Sequence, residues 1–423
     1  MIRKEQTRKG VYMQEKLQIG VIGLGSRGMG LLKAVMLEME DIEVTAVCDV
    51  YQDRQEDAAA ACKEKYGKEV TMTGDYHEIL AMDGVDAVII SASWAAHSRI
   101  AVDAMRAGKP CASEVGGAYS LEECWELVRT HEETGVPCMM LENCCYGRDE
   151  LMVLNMVKQG VLGEIVHCAG GYCHDLRKEI AEGRENRHYR LDNYMHRNCE
   201  NYPTHELGPI AKVLDINRGN RMVSLSSVAS KARGMNEYAA NHNHAELADY
   251  PFAQGDIVTT TIRCAHGETI VLTLDTTLPR AYSRGFTVRG TKGLYQEDTR
   301  SIFIDGMHEK FEFNLKGMWG NAEEFREQYE HPIWKQYLAE GVKGGHDGMD
   351  WLVFSAFFDS VRQGETPPID VYDMASWMAV TALSEQSVAM GGLPVAFPDF
   401  TNGRWIAREP IIERHFCLDK ICE

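Results

Sequence analysis

Leu17-Gln18-Ile19-Gly20-Val21-Ile22-Gly23-Leu24-Gly25-Ser26-Arg27-Gly28 is the stretch from which the fold can be read. Leu17–Leu24 is a short apolar run ending in glycines, the pattern of a strand buried on both faces. Gly28–Glu40 then follows with helical spacing, so that Leu31, Leu32, Val35, Met36 and Met39 can share one side. Gly23, Gly25 and Gly28 thus stand between a strand and a helix, the context that turns a common glycine pattern into a dinucleotide fingerprint. Gly23 permits the tight turn, Gly25 the close approach of backbone to a pyrophosphate, and Gly28 the close packing of helix on sheet. The first N–H groups of the helix then face the pyrophosphate. Asp49 ends the next apolar run, Ile42–Asp49, 21 residues after Gly28. An acid there binds both ribose hydroxyls of NAD and repels the 2′-phosphate of NADP, so NAD is the expected cofactor.

Working outward, a helix near Asp53–Tyr66, a strand at Ala87–Ser91 and a helix near His97–Ala107 continue the alternation. Cys111–Val115, Leu121–Gly135 and Pro137–Leu141 extend it. Alternating strands and helices at this spacing predict an α/β, doubly wound parallel sheet of Rossmann type over residues 17–148, after an extension at 1–16. The pattern changes near residue 150. Strands at Glu164–Tyr172, Val223–Lys231, Asp256–Cys264, Thr269–Thr276 and Phe286–Gly290 read as antiparallel, with a hairpin turn near Ala265–Glu268. This predicts an α+β substrate domain over 149–423 with an open, largely antiparallel sheet. Helices at Met349–Arg362 and Tyr372–Met390 close it, and Cys173–Asn201 reads as a long polar loop over the site.

The formal net charge of −19 argues against nucleic acid or an anionic membrane surface as partner. The first sixteen residues lack the apolar run of a secretory signal, and no stretch reaches 18 apolar residues. Thirteen cysteines without a Cys-x-x-Cys pair read as free thiols of a reducing cytoplasm, Cys144 and Cys145 among them as small buried residues. His242 and His244 lack an evident third ligand, so no metal is expected. Trp351, Phe354, Phe357 and Phe358 recur at helical spacing and read as core. His346 and Asp347, between glycines, either face the site or cap the helix from Met349.

Further segments carry a specific resemblance. They are Ser113-Glu114-Val115-Gly116-Gly117-Ala118, Met140-Leu141-Glu142-Asn143 before Tyr146, and Asn201-Tyr202-Pro203-Thr204-His205-Glu206-Leu207-Gly208-Pro209 with Asn217-Arg218-Gly219. Tyr282-Ser283-Arg284-Gly285-Phe286 and Gly344-Gly345-His346-Asp347-Gly348-Met349-Asp350 join them. From about residue 17 to 400 the chain resembles glycoside hydrolase family 109, which contains NAD-dependent α-N-acetylgalactosaminidases within the glucose–fructose oxidoreductase and inositol dehydrogenase superfamily. The resemblance implies that Ser26 and Arg27 meet the pyrophosphate and Asp49 the adenosine ribose. Trp94–His97, Glu114, Val115 and Asn143 would line the rest of the cofactor path. Tyr172, Arg190, Tyr202, His205 and Tyr282 would surround a small-molecule or glycan substrate, and a homo-oligomer is expected.

The sequence departs from its relatives in two places. Superfamily dehydrogenases carry Glu-Lys-Pro where this chain has Glu114-Val115, which speaks against an ordinary dehydrogenase. Glu206 replaces a glycine that often follows the histidine, and is expected to shift the preferred sugar or raise the pKa of His205. The family chemistry is redox-neutral glycoside cleavage. It runs by oxidation at C3 of the sugar, deprotonation at C2, elimination of the aglycone, water addition and re-reduction. His205 is the first candidate for acid–base work. Tyr172, Tyr282 and Glu142 are the others. The alternatives are a sugar or inositol dehydrogenase that releases NADH, and a non-catalytic sugar or cofactor sensor.

Overall fold

The computed structural model describes residues 16–308, 315–411 and 414–419, so the expected extension falls outside the described residues except for its last one, Lys16. The strands β1 (Leu17–Ile22), β2 (Ile42–Cys48), β3 (Thr71–Thr73), β4 (Ala87–Ile90), β5 (Cys111–Ser113) and β6 (Cys138–Met140) form one sheet. Their order is β3-β2-β1-β4-β5-β6, all parallel. β4 and β5 are buried at every position, as continuous apolar strands between two helical layers should be. The order reverses between β1 and β4, and ligands of such sheets bind in the crevice at that switch point, beyond the carboxyl ends of the strands. The helix after β1 is shorter than its spacing implies. It runs Ser26–Ala34 and gives way to a 3₁₀ turn at Met36–Glu38. Leu31, Leu32, Val35, Met36 and Met39 are nonetheless all buried.

The second sheet holds β7 (Ile165–Cys173), β8 (Met222–Ala229), β9 (Ile257–Cys264), β10 (Thr269–Asp275), β11 (Thr287–Gly290), β12 (Gly293–Gln296), β13 (Ser301–Ile304) and β14 (Val395–Ala396). Its order is β13-β12-β11-β7-β10-β9-β8-β14. β9 and β10 alternate buried and more exposed residues, and their four-residue turn is the one expected. One expectation is corrected: β7 runs parallel to β10 and antiparallel to β11. The chain between β7 and β10 passes through several helices and returns to the start of β7, so a parallel neighbour is possible where a hairpin is not. The short strands β3, β12, β13 and β14 escaped the sequence reading.

The sheets are tied together by helices. Val371–Ala389 packs against both Leu121–Thr134 and β8. Asp370 caps its start by accepting from the N–H groups of Tyr372 and Asp373, at 2.9 and 3.2 Å. Beneath that cap lies a buried ion cluster. Lys212 Nζ stands 2.7 Å from Asp373, and Arg218 spans Asp373 at 2.8 Å and Asp370 at 3.0 Å. Asp373→Ala would leave two buried cations short of charge and should cost about 3–5 kcal/mol in urea unfolding. A loss within the error of the wild-type value would refute this. Phe354, Phe357 and Phe358 are core, as their spacing predicts, and the twelve described cysteines are all buried.

Candidate active site

The glycine turn is built by contacts that exclude side chains. Gly23 has φ +95°, and a Cβ there would stand 2.4 Å from the Ala92 nitrogen. At Gly28 a Cβ would come to 2.2 Å from the Gly23 carbonyl oxygen. The helix Ser26–Ala34 therefore begins directly against the turn, and Gly25 has no side chain to cover its first N–H groups. Asp49 follows β2, accepting from Leu24 N at 2.7 Å and Tyr51 N at 3.0 Å, with Arg54 3.8 Å away. A cleft of about 2030 Å³ runs from here past Trp94, Glu114, Val115 and Asn143 to Tyr172, Tyr202 and His205. A turn that admits backbone only, an open helix N-terminus and an acid at the neighbouring strand end together fit a dinucleotide.

Cys173–Asn201 is not the plain loop expected. It carries helices Arg177–Ala181 and Arg190–His196 with tight turns between. The turns reach back over the Asp49 end of the cleft. Arg187, at φ +52°, makes a two-pronged pair with Asp53 at 2.9 and 2.6 Å. Its guanidinium lies 4.3 Å from the Tyr51 ring centre, while Arg54 donates to the Asn186 carbonyl at 3.1 Å. The polar residues that made this segment look like a loop are the ones that fasten it.

At the other end, Asp350 is a hub. It takes Arg27 at 2.9 and 2.8 Å, Asn143 Nδ2 at 2.8 Å and His346 Nδ1 at 2.7 Å. Arg27 also donates to Glu114 at 3.2 Å. The Arg27 guanidinium is thus clasped by carboxylates, a partnership that the cofactor role expected for this residue did not include. His346 and Asp347 both adopt left-handed backbone, φ 49° and 53°, and His346 faces the cleft. His97 is buried with Nε2 2.9 Å from the Ala92 carbonyl oxygen, and burial pushes its pKa down to about 4. It holds the turn after β4 as a neutral ring.

His205 sits in the first turn of the helix Thr204–Val213. Its Nδ1 is 2.7 Å from Glu142 Oε1, and its Nε2 is 3.4 Å from the Tyr202 hydroxyl. Glu142 is fully buried just beyond β6, where it also accepts from Cys144 N at 3.1 Å. Burial pushes its carboxyl up, but the facing imidazole outweighs that and holds it below the ordinary carboxylate range. An ionised carboxylate only accepts, so Nδ1 carries the hydrogen and Nε2 is left to the cleft. The Tyr172 ring packs on Tyr202 at 4.3 Å and edge-on to His205 at 5.5 Å. Arg190 lies over Trp94 and Tyr202, at 5.2 and 5.3 Å, and pairs with Glu179 at 2.9 Å. Tyr282 stands half exposed at the rim, its ring 6.4 Å from Tyr172 and 5.1 Å from His174. His174, 3.1 Å from the Tyr172 hydroxyl, was missed, although two residues after Tyr172 along an extended chain is the same side. Asp350 was quoted within a segment but given no role.

Glu142, Cys144 and His205 have donor atoms within 4.8 Å of one another. The 2.7 Å Glu142–His205 contact is a hydrogen bond, shorter than the ~3.3 Å between tetrahedral ligands at about 2 Å from zinc. The carboxylate facing His205 is Glu142 and not Glu206, so the expected effect of Glu206 on His205 has no contact behind it. Its side chain instead turns under β7, where a Cβ on Gly170 would come to 2.6 Å of the Glu206 Cβ. Glu200, on the other side of the Tyr-Pro-Thr-His segment, is also buried, and burial pushes its pKa up to about 8. A folded value above the unfolded ~4.3 means the folded chain holds the extra proton. Stability should fall as pH rises from about 4 to 8, by a few kcal/mol in all. Glu200→Gln should flatten that slope in melts across this range, and an unchanged slope would contradict it.

The sequence matches two family models over nearly its whole length. Residues 17–142 match "Oxidoreductase family, NAD-binding Rossmann fold", and residues 146–407 match "Glycosyl hydrolase 109, C-terminal domain". The chain belongs to glycosyl hydrolase family 109. A family 109 protein of Stenotrophomonas maltophilia is 39% identical, covering 94% of this chain and 91% of that one. An alpha-N-acetylgalactosaminidase of Tannerella forsythia is 37% identical, covering 93% and 88%. Among solved structures, levoglucosan dehydrogenase in complex with NADH and levoglucosan aligns at TM-score 0.66 and 16% identity, over 91% of this chain and 100% of that one. Myo-inositol 2-dehydrogenase from Lactobacillus plantarum aligns at 0.64 and 16%, over the same shares. At those identities the likeness speaks for the fold alone. This family 109 member is a glycosidase on an oxidoreductase-like fold with an NAD-binding domain. Among the described residues no helix is long and apolar enough to cross a membrane.

Proposed function

We propose that the chain cleaves α-N-acetylgalactosaminides, or closely related glycosides, without net redox change. The observation that carries this reading is the buried Glu142–His205 pair opening onto a tyrosine-lined cleft that is continuous with the dinucleotide turn. Gly23, Gly25, Ser26, Gly28 and Asp49 would hold the pyrophosphate and adenosine. Trp94, His97, Glu114, Val115 and Asn143 would line the path inward, with Arg27 aligned by Asp350. NAD, when bound, supplies reversible hydride exchange with a ring carbon of the sugar.

The residues of the chain do the proton work. His205 Nε2 accepts or returns a proton on the cleft side, and Glu142 stabilises the imidazolium from behind at Nδ1. The Tyr202 hydroxyl lies within reach of Nε2 as a relay. Tyr172, with His174 behind its oxygen, is a second proton-transfer pair. Two such groups suit an elimination followed by addition of water, since one proton leaves carbon while another reaches the departing oxygen. Arg190, over three aromatic rings, shapes the floor for the sugar.

The test is aglycone release from a panel of aryl glycosides, led by the α-N-acetylgalactosaminide, with NADH absorbance followed in the same cuvette. Phenol release without accumulating NADH is expected. NADH accumulating on free sugars with no phenol released would mean that the dehydrogenase alternative is correct.

A further inference from the structure

We infer that Arg284 is a positioning residue for Tyr282, fixing where that side chain stands beside Tyr172 and His174 at the edge of the cleft. The inference rests on the sugar-site reading of Tyr282 above. Tyr282 lies on the connection between β10 and β11 with half of its surface in solvent, so its own packing does not hold it. The backbone beyond it is stitched to the end of β7. Ser283 and Cys173 exchange N–H···O bonds at 3.0 and 3.2 Å, and Gly171 N donates to the Arg284 carbonyl at 2.6 Å.

The Arg284 side chain then runs beneath the site, only 13% exposed. Its Nη2 pairs with Glu150 on the helix Arg148–Lys158, and its Nε stands 3.5 Å from Glu297, just past β12. One guanidinium thus faces carboxylates from a helix and from the end of β12. Gly170, where a Cβ would come within 2.6 Å of the Glu206 Cβ, lets the His205 helix pack closely on β7, the strand whose Gly171 N–H holds the Arg284 carbonyl. Partly or wholly buried ion clusters are a poor way to gain stability, because desolvation offsets the attraction. They do fix geometry, since a planar fork accepts its partners in few orientations. Here the geometry fixed is that of the Tyr282 connection relative to β7 and the helix Arg148–Lys158.

The test is a double-mutant cycle between Arg284→Met and Tyr282→Ala in the full chain, scored by kcat and KM for the released aglycone. Alone, Arg284→Met should raise KM about tenfold with a smaller change in kcat. In the Tyr282→Ala background it should change KM by less than about twofold, because Tyr282 is the route of its effect. Arg284→Lys should recover part of the loss. Multiplying losses in the double variant, or a KM for Arg284→Met within about twofold of wild type, would overturn the inference. Should Arg284→Met not fold, Glu297→Gln loosens the same cluster from its more exposed partner and enters the same cycle. Calorimetric binding of free N-acetylgalactosamine to wild type and the four variants reads the coupling without turnover. A failed glycosidase assay is thereby kept apart from a failed positioning role.

Discussion

Glu142→Gln and His205→Ala are each expected to lower turnover by roughly 10²–10⁴-fold, the usual worth of a positioned acid–base group, while the nucleotide stays bound. The two should be far from additive, because the groups act as a unit: the imidazole does the transfer and the carboxylate sets its tautomer and stabilises its charged form. Glutamine keeps the shape but presents either oxygen or NH₂ to Nδ1, so the imidazole is no longer fixed with its lone pair at Nε2. The measurement is kcat on the reactive aryl glycoside, with nucleotide released by heat and quantified. Activity within a few-fold of wild type in either variant would remove the pair from the mechanism. Loss of nucleotide along with activity would show that the residues serve the cofactor instead.

A single methyl group at Gly28 is expected to have the second large effect. A Cβ there would stand 2.2 Å from the Gly23 carbonyl oxygen, a backbone atom that cannot swing aside. Either the helix Ser26–Ala34 lifts from the turn or the turn opens, and both move the N–H groups away from the pyrophosphate. Gly28→Ala should therefore weaken NAD binding at least about 100-fold, equivalent to roughly 2.7 kcal/mol. Gly84, in the turn before β4, supplies the control, since it lies outside the cleft and a Cβ there meets nothing within 4 Å. Gly84→Ala should leave NAD affinity unchanged and raise stability by about 0.4–1 kcal/mol by narrowing the unfolded chain's freedom. Calorimetric titration with NAD separates the two. Equal affinities would mean that the turn does not hold the pyrophosphate.

What could be read from the sequence was local. The glycines at 23, 25 and 28 and the acid at 49 work through their own strand–turn–helix geometry, which is why a dozen residues sufficed for the first sheet. His205 was legible because its segment is distinctive. Glu142 stood out as a candidate, but its partner lies 63 residues away, and nothing along the chain announces that pairing. Asp350 is 323 residues from the Arg27 it clasps. The parallel pairing of β7 and β10 is likewise a property of where the chain returns, whereas the alternation of β9 and β10 belongs to each strand alone. The helices within 173–201 were hidden by composition, since polar residues that fasten a segment across a cleft look the same as polar residues that leave it in water. Glu206 misled for a related reason. Adjacency in sequence suggested adjacency to the imidazole, but successive helical residues point about 100° apart.

The turn around Arg187 has a consequence for how the protein would respond to its surroundings. A dehydrogenase must exchange its nicotinamide every cycle and so follows the ratio of oxidised to reduced carrier in the cell. On the proposed reading the adenosine half would lie beside Arg187 and Asn186, and parting of the Arg187–Asp53 pair would free that end of the cleft. That pair is exposed and screened by solvent, so such a closure would slow exchange without forbidding it. A catalyst that returns its carrier to the starting oxidation state has no need of rapid exchange. Its working fraction would be set by the charge of nucleotide it acquired on folding, and a swing in cellular redox balance would reach it late, through slow replacement instead of through each turnover.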